Sequence, residues 1–401
     1  MKRVLIFLAA AVLVSVLLVS CNKKSSPTSP DVSNEQQSPT TTQTTVNAMT
    51  STVTEIMSAT STSTVTPTMT ITETETATEI VSATATSTIT ITATCTPTVT
   101  LTSTAANTPN VTQTAEESRV FVYVDGGTFT QTDSKKPQSF DHTISSFYIG
   151  KYQVTYELWY TVRQWALSNG YTFANAGREG EDATFFGSAP SANQFQPVTT
   201  INWRDAIVWC NAYSQKYEKT PVYYSDALLT TPIKNSADGS FGNTVNAAAG
   251  SVDNPYVNWN CDGYRLATEG EWEFAARYID GTNWTPANYA SGDSAPYDTS
   301  TTIGDYCWYS ANMNSTTHDV GGKLPNALNI YDMSGNVYEW VWDNWADYPG
   351  DSTDYRGPAY SVSRICRSGY VQVDLMATGL RNASAPYTEY WGCGFRLART
   401  Q

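Results

Sequence analysis

The chain has 401 residues, with 37 Asp and Glu against 23 Lys and Arg, a formal net charge of −14. It carries no basic cluster beyond its first few residues, which excludes nucleic-acid binding for want of groups to neutralise phosphate. With only His142 and His318 in the whole chain, a histidine-built metal centre or a Ser-His-Asp triad has almost no material.

Lys2 and Arg3 precede an apolar run from Val4 to Val19 that only Ser15 interrupts, and Leu18-Val19-Ser20-Cys21 follows. A basic start, a short apolar stretch and small residues before the break predict a secretory signal over residues 1–20. The tetrapeptide resembles a bacterial lipobox, with Cys21 as the residue lipidated after cleavage; ordinary signal cleavage beside an incidental cysteine is the alternative. Asn22, with no Asp after the cysteine, points to the outer membrane of a two-membrane bacterium.

Residues 21–117 are dominated by Thr and Ser with scattered Pro, and their large apolar residues are isolated. No core can offset the ordering entropy there, so a disordered, β-biased tether is expected. About 90 coil residues would reach roughly 50 Å. Cys95 lies inside this tether as an unpaired or intermolecular thiol.

Residues 118–401 form the globular part. The Tyr and Trp missing from the tether are concentrated here, and these residues serve binding surfaces as well as cores. Arg119 to Val124 reads as a strand ended by Asp125-Gly126-Gly127. Thr155 is an N-cap candidate for a helix with Leu158, Val162 and Trp165 at helical spacing. Asn202 caps a second helix through about Tyr213, and Thr268 with Glu271 makes a capping box for a third that ends near Arg277. Lys219 to Asp262 is loop-rich. Short helices and many short strands with long loops predict one α+β domain.

Asn329 to Asp343 reads as two strand-like pieces meeting at a Gly335-Asn336 turn. Tyr338, Trp340 and Trp342 then share one face as a core wall, opposite Val337, Glu339, Val341 and Asp343. Asp332 and Glu339 bracket the turn, and with inward carbonyls they would form an all-oxygen cage suited to Ca²⁺. A plain aromatic hairpin with solvated acids is the alternative.

Gly126-Gly127-Thr128-Phe129, Phe147-Tyr148-Ile149 with Val154-Thr155, Pro197-Val198 with Asn202 to Ala206, Tyr264 to Arg277, Pro325 to Trp340 and Gly394-Phe395-Arg396 occur in that order. Together they resemble the formylglycine-generating enzyme, or sulfatase-modifying factor, family. The resemblance implies a variant of the C-type lectin fold, and calcium held by Asp332 and Glu339 through side chains and by Gly335 and Val337 through carbonyls. It also implies a copper(I)-dependent oxidation of a client cysteine by two cysteines after a Gly-Gly-Ser motif. Here that motif reads Ser368-Gly369-Tyr370, and the cysteine positions fall at about Gln372 or Val373 and near Ala377. No copper is therefore expected, since a soft ion needs thiolates that this region lacks. Cys366 and Cys393, on either side of it, could pair as a disulfide in an exported protein; pairing among Cys210, Cys261, Cys307, Cys366 and Cys393 stays open. The iron-dependent sulfoxide-synthase branch needs a histidine triad, and His318 reads as a loop or packing residue.

Frame residues Arg367, Gly369, Arg381, Pro386 and Gly394 to Arg396 enclose Tyr370, Gln372, Asp374, Met376, Tyr387, Glu389, Tyr390 and Trp391. This set builds no acid–base or nucleophile arrangement. It does resemble a paratope, where Tyr and Trp give contact area and polar residues adapt; a solvated loop with a few packed aromatics is the alternative. Lipobox, stalk, fold and an unusual final segment together resemble bacterial surface lipoproteins diversified by retroelements. The reading is a non-catalytic, lipid-anchored, surface-exposed lipoprotein whose C-terminal segment binds a protein or glycan, with no nucleic-acid partner. An oxidoreductase using Cys366 or Cys393 and a structural envelope protein are the alternatives.

Overall fold

The structure is a computed structural model that describes residues 120–181, 185–237 and 243–401, together with three strands in the Thr-rich stretch. The signal segment, Cys21, Cys95 and the rest of the tether lie outside the described residues. The chain divides into two units, residues 1–111 and 112–401.

In the first unit, β1 (Thr68–Thr70), β2 (Ser87–Thr92) and β3 (Thr98–Ser103) form an antiparallel sheet in the order β1-β3-β2. The stretch expected to lack fixed structure thus carries three strands where β-branched Thr, Ile and Val alternate, as in Ser-Thr-Ile-Thr-Ile-Thr.

The second unit opens with β4 (Phe121–Val124), β5 (Gly127–Asp133), β6 (Gln138–Ile144) and β7 (Phe147–Gly150). β5 and β6 pair along their whole length, from Gly127 opposite Ile144 to Asp133 opposite Gln138. Helix α1 (Tyr156–Leu167) starts at the predicted cap, where Thr155 accepts from the Leu158 amide. Its buried face is Tyr156, Trp159, Val162 and Ala166, so the stripe expected at Leu158 and Trp165 is rotated and these two only flank the core. After the two-residue strands β8 (Arg178–Glu179) and β9 (Val198–Thr199) comes α2 (Trp203–Lys216), capped by a reciprocal Asn202–Asp205 box. It is buried on all sides from Trp203 to Ser214.

The strands β10 (Tyr223–Tyr224), β11 (Tyr256–Val257) and β12 (Arg265–Leu266) are equally short. Helix α3 (Glu269–Arg277) has the predicted Thr268–Glu271 box, and a single turn, α4 (Ile303–Tyr306), follows. The last third holds β13 (Tyr338–Asn344), β14 (Ser352–Thr353), β15 (Arg364–Arg367), a 3₁₀ turn at Val373–Met376, β16 (Asn382–Ser384), β17 (Cys393–Phe395) and β18 (Leu397–Thr400).

Two four-stranded sheets organise the domain, in the orders β12-β18-β7-β4 and β16-β15-β13-β17. The first joins the domain's opening strands to its last one. β13 is the hub of the second, with Trp340 in one apolar core and Val341 in the other. Both its faces are therefore largely buried, and the acids Glu339 and Asp343 are inside, not solvated. Among the described residues no helix is long and apolar enough to cross a membrane.

Candidate functional site

The stretch before β13 is not the expected strand. Asn329, Asp332 and Asn336 have φ of 63°, 56° and 65°, and Gly335 has 86°. These left-handed residues coil the chain instead of extending it. Gly335 has no alternative, because a Cβ there would lie 2.3 Å from the Trp308 carbonyl oxygen. The coil aims three carbonyls at one buried point. Gln153 Nε2 sits there, 3.1 Å from Asp332 O, 3.4 Å from Gly335 O, 3.5 Å from Val337 O and 2.9 Å from Glu339 Oε1.

This geometry corrects the expected ligand roles. Asp332 offers its carbonyl to the shared point, while its Oδ2 accepts from the Gly321 amide at 2.7 Å. Glu339 is first an ion-pair partner. Arg396 donates to Oε2 through Nε (2.7 Å) and to Oε1 through Nη2 (2.7 Å), and Trp272 Nε1 donates to Oε2 at 2.8 Å. A hard cation nevertheless suits the cage. Two buried oxygens there, Gln153 Oε1 and Asp332 Oδ1, have no donor. Turning the Gln153 amide about its last torsion would place Oε1 where Nε2 now lies, completing an all-oxygen set. Burial raises the Asp332 carboxyl to about 6, with the Glu339 charge adding to the rise; a bound cation would oppose this. Gln153 is the member of the cage that the sequence reading missed.

The C-terminal candidate residues lie on an excursion between β15 and β17, which flank β13 on opposite sides. Its base is pinned by buried ion pairs to α3. Arg367 donates to Glu273 Oε2 (2.8 Å), Glu269 Oε1 (3.1 Å) and the Thr378 carbonyl (2.5 Å). Arg381 grips both oxygens of Glu269 at 2.7 and 2.9 Å. Gly369 passes so close to the 3₁₀ turn that a Cβ would lie 1.9 Å from Leu375 O. Val371, at φ 67°, is a β-branched residue held left-handed. Gln372, Val373 and Asp374 beyond it are exposed.

The predicted binding residues divide accordingly. Tyr390 and Trp391 are exposed at 37% and 49%, and Glu389 is exposed with them. Tyr370 is buried beneath, with its ring 5.5 Å from Trp391 at 81° and its hydroxyl donating to Glu181 Oε2. Tyr387 sits apart, half-buried over the Arg204 guanidinium at 5.6 Å. Met376 is not on the surface: it is fully buried with Ala290, Ile303 and Cys307, because the 3₁₀ turn directs it inward. Two neighbours were missed. Tyr338, read as core wall, reaches this surface and lies 5.9 Å from Tyr390 and 6.3 Å from Tyr370. Glu181 comes from a distant loop and left no local signal in the sequence.

Cys366 and Cys393 are both free thiols. They sit on one face, opposite Trp340 and Tyr338 respectively, and their side chains share a hydrogen bond. The disulfide suggested for them is not formed, since both thiols are free on either side of β13. Burial, with Cys366 adding to it, pushes the Cys393 thiol well above its ordinary range.

Residues 106–401 match the family model described as the sulfatase-modifying factor enzyme 1-like domain. The chain belongs to this family. A curated relative, "Chaperone protein LppX" of Paenibacillus barcinonensis, is 32% identical over 57% of this chain and 72% of its own. The formylglycine-generating enzyme of Thermomonospora curvata is 27% identical over 63% of this chain and 83% of its own. Among solved structures, Treponema denticola variable protein 1 superposes with a TM-score of 0.56 at 29% identity, covering 70% of this chain and 95% of that one. The α+β architecture of short helices and strands is the sulfatase-modifying-factor fold. Within this family member, the first position where a catalytic cysteine is expected falls at Gln372 or Val373, both exposed, and the second near Ala377, which is buried.

Proposed function

We propose that this protein is a non-catalytic binding lipoprotein: a sulfatase-modifying-factor scaffold, tethered to the cell envelope through Cys21, that presents its C-terminal excursion to a protein or glycan ligand outside the cell. One observation carries the reading. The excursion's backbone is clamped from below by Arg367 and Arg381, while its exposed side chains are the aromatic Tyr390 and Trp391, the amide of Gln372 and the carboxylates of Asp374 and Glu389. Rigid support under exposed aromatics is how binding surfaces limit the entropy cost of association. The similarity to a protein titled a variable protein and to a relative named as a chaperone supports a binding role. Calcium at the Gln153 cage is proposed as structural support for this frame, held by the carbonyls of Asp332, Gly335 and Val337, by Glu339 and by Gln153.

The oxidoreductase alternative draws on the contact between the Cys366 and Cys393 thiols. Their burial and the raised Cys393 weigh against it, because thiolate chemistry needs a lowered pKa and access. The test is an immobilised glycan and peptide array probed with wild type and a Tyr390→Ala/Trp391→Ala variant. Saturable binding by wild type and its loss in the folded variant are expected. Equal binding by both proteins would reject this surface.

A further inference from the structure

Arginine in this domain is seated in one recurring way. Arg381 grips both oxygens of Glu269 at 2.7 and 2.9 Å, and its guanidinium lies 4.1 Å from the centre of the Tyr348 ring and 4.7 Å from that of Trp345. Arg204 takes both oxygens of Asp253 at 2.6 and 2.7 Å and lies 5.6 Å from the centre of the Tyr387 ring. Arg265 repeats the arrangement with Glu271 and Trp259, and Arg367 with Glu273 and Trp272. Each time a carboxylate takes the fork of donors and an aromatic ring lies beside the guanidinium, a pairing that suits its planar, weakly hydrated charge.

The outer face of the excursion has the carboxylates and the rings without the arginine. Tyr390 and Trp391 are exposed, with ring centres 5.9 Å apart. Glu389 directly precedes them and is exposed, as is Asp374. Asp374 is near enough to act electrostatically on Tyr338, whose ring is 5.9 Å from that of Tyr390. Among the described residues neither Asp374 nor Glu389 has an ion-pair partner. From Tyr370 to Gly392 the only basic residue is Arg381, and it is buried. Arg178 faces the buried Tyr370 and is itself engaged. The face therefore presents uncompensated negative charge beside apolar ring surface, and charge of this sign steers basic partners toward it and acidic ones away.

We infer that the outer face of the excursion takes an arginine side chain from a protein ligand, its guanidinium paired with the carboxylates of Glu389 and Asp374 and lying against Tyr390 and Trp391. This rests on the reading of the same face as a binding surface, and it commits the ligand to a polypeptide, since a glycan carries no guanidinium. Arginine suits the face better than lysine, because its fork meets a carboxylate through two bonds and it sheds water more readily than a compact ammonium.

The experiment is NMR titration of the purified chain with three peptides of one Gly-Ser sequence that carry two arginines, two lysines or two citrullines. Citrulline keeps the planar shape and loses the charge. The arginine peptide is expected to bind at least ~5-fold tighter than the citrulline peptide, with the lysine peptide between them, and to weaken as salt is raised. Asp374→Asn combined with Glu389→Gln should erase the preference for arginine over citrulline, and Trp391→Ala should weaken arginine binding. All three positions are exposed, so these changes do not threaten the fold. Equal affinity for arginine and citrulline, equal affinity for arginine and lysine, no response to any of the three peptides, or unchanged arginine binding by the double amide variant overturns the inference. In that event, array binding that still depends on Tyr390 and Trp391 leaves the surface reading standing and removes only the ligand chemistry.

Discussion

Replacing Glu339 by Gln distinguishes two roles for the same carboxylate. In the structure it accepts two hydrogen bonds from Arg396, one from Trp272 and one from Gln153, all between 2.7 and 2.9 Å. Both Glu339 and Arg396 are inaccessible to solvent. The amide removes the counter-charge of a buried guanidinium and turns one acceptor oxygen into a donor that faces other donors. Breaking a buried pair in this way costs about 3–5 kcal/mol. For a domain of this size that corresponds to a fall of about 6–20 °C in melting temperature. Denaturant unfolding would be followed for wild type and Glu339→Gln, each in calcium and in chelator. The ion-pair argument requires the variant to be weaker by at least ~3 kcal/mol in both conditions. If the two proteins are equally stable in chelator, Glu339 acts only as a cation ligand and the reasoning from Arg396 fails.

Three further outcomes follow. Chelation should lower the melting temperature of wild type modestly, because the Gln153 amide can itself seal the cage, and should lower that of Gln153→Ala by several degrees more; an equal response, or none in either protein, would remove the cation from this cage. His142 is held neutral, pushed down by burial to about 4, with Nδ1 bonded to Gln131 Oε1 and Nε2 accepting from the Tyr355 amide. Its folded pKa is depressed below the unfolded 6.5, so the stability it confers is present above pH 6.5 and is lost as pH falls toward 4, by up to about 3 kcal/mol; His142→Gln should flatten that part of the stability–pH curve, and an unchanged slope would contradict it. Gly369→Ala drives a methyl into the Leu375 carbonyl and should cost about 1–3 kcal/mol, measured by denaturant unfolding; a neutral result would mean that the excursion is not clamped where the structure places it.

The helix caps were legible in the sequence because capping is local: Thr155, Asn202 and Thr268 each act within three residues of themselves. The register of α1 was not, because which face is buried depends on Phe395 and α2, far along the chain. The coil before β13 was misread as a strand for a similar reason. Alternating apolar residues suggest extension, and only the positive φ at Asn329, Asp332 and Asn336 reveals the turns. Glu339 reads from the sequence as a cation ligand or a solvated acid because its arginine partner, Arg396, lies 57 residues later, and the amide that Asp343 accepts from belongs to Glu269, 74 residues earlier. The aromatic members Tyr370, Tyr390 and Trp391 were recognisable by type, whereas Met376 has the same composition signal and is core. Glu181 and Gln153 reach their sites through tertiary contacts alone, so no spacing rule could find them.

The most direct measurement is mass spectrometry of a cysteine-containing sulfatase peptide incubated with the purified protein, copper and oxygen. The account predicts that the peptide keeps its thiol, because no accessible thiol pair stands on the outer face of the excursion. Conversion of that cysteine to an aldehyde would contradict it.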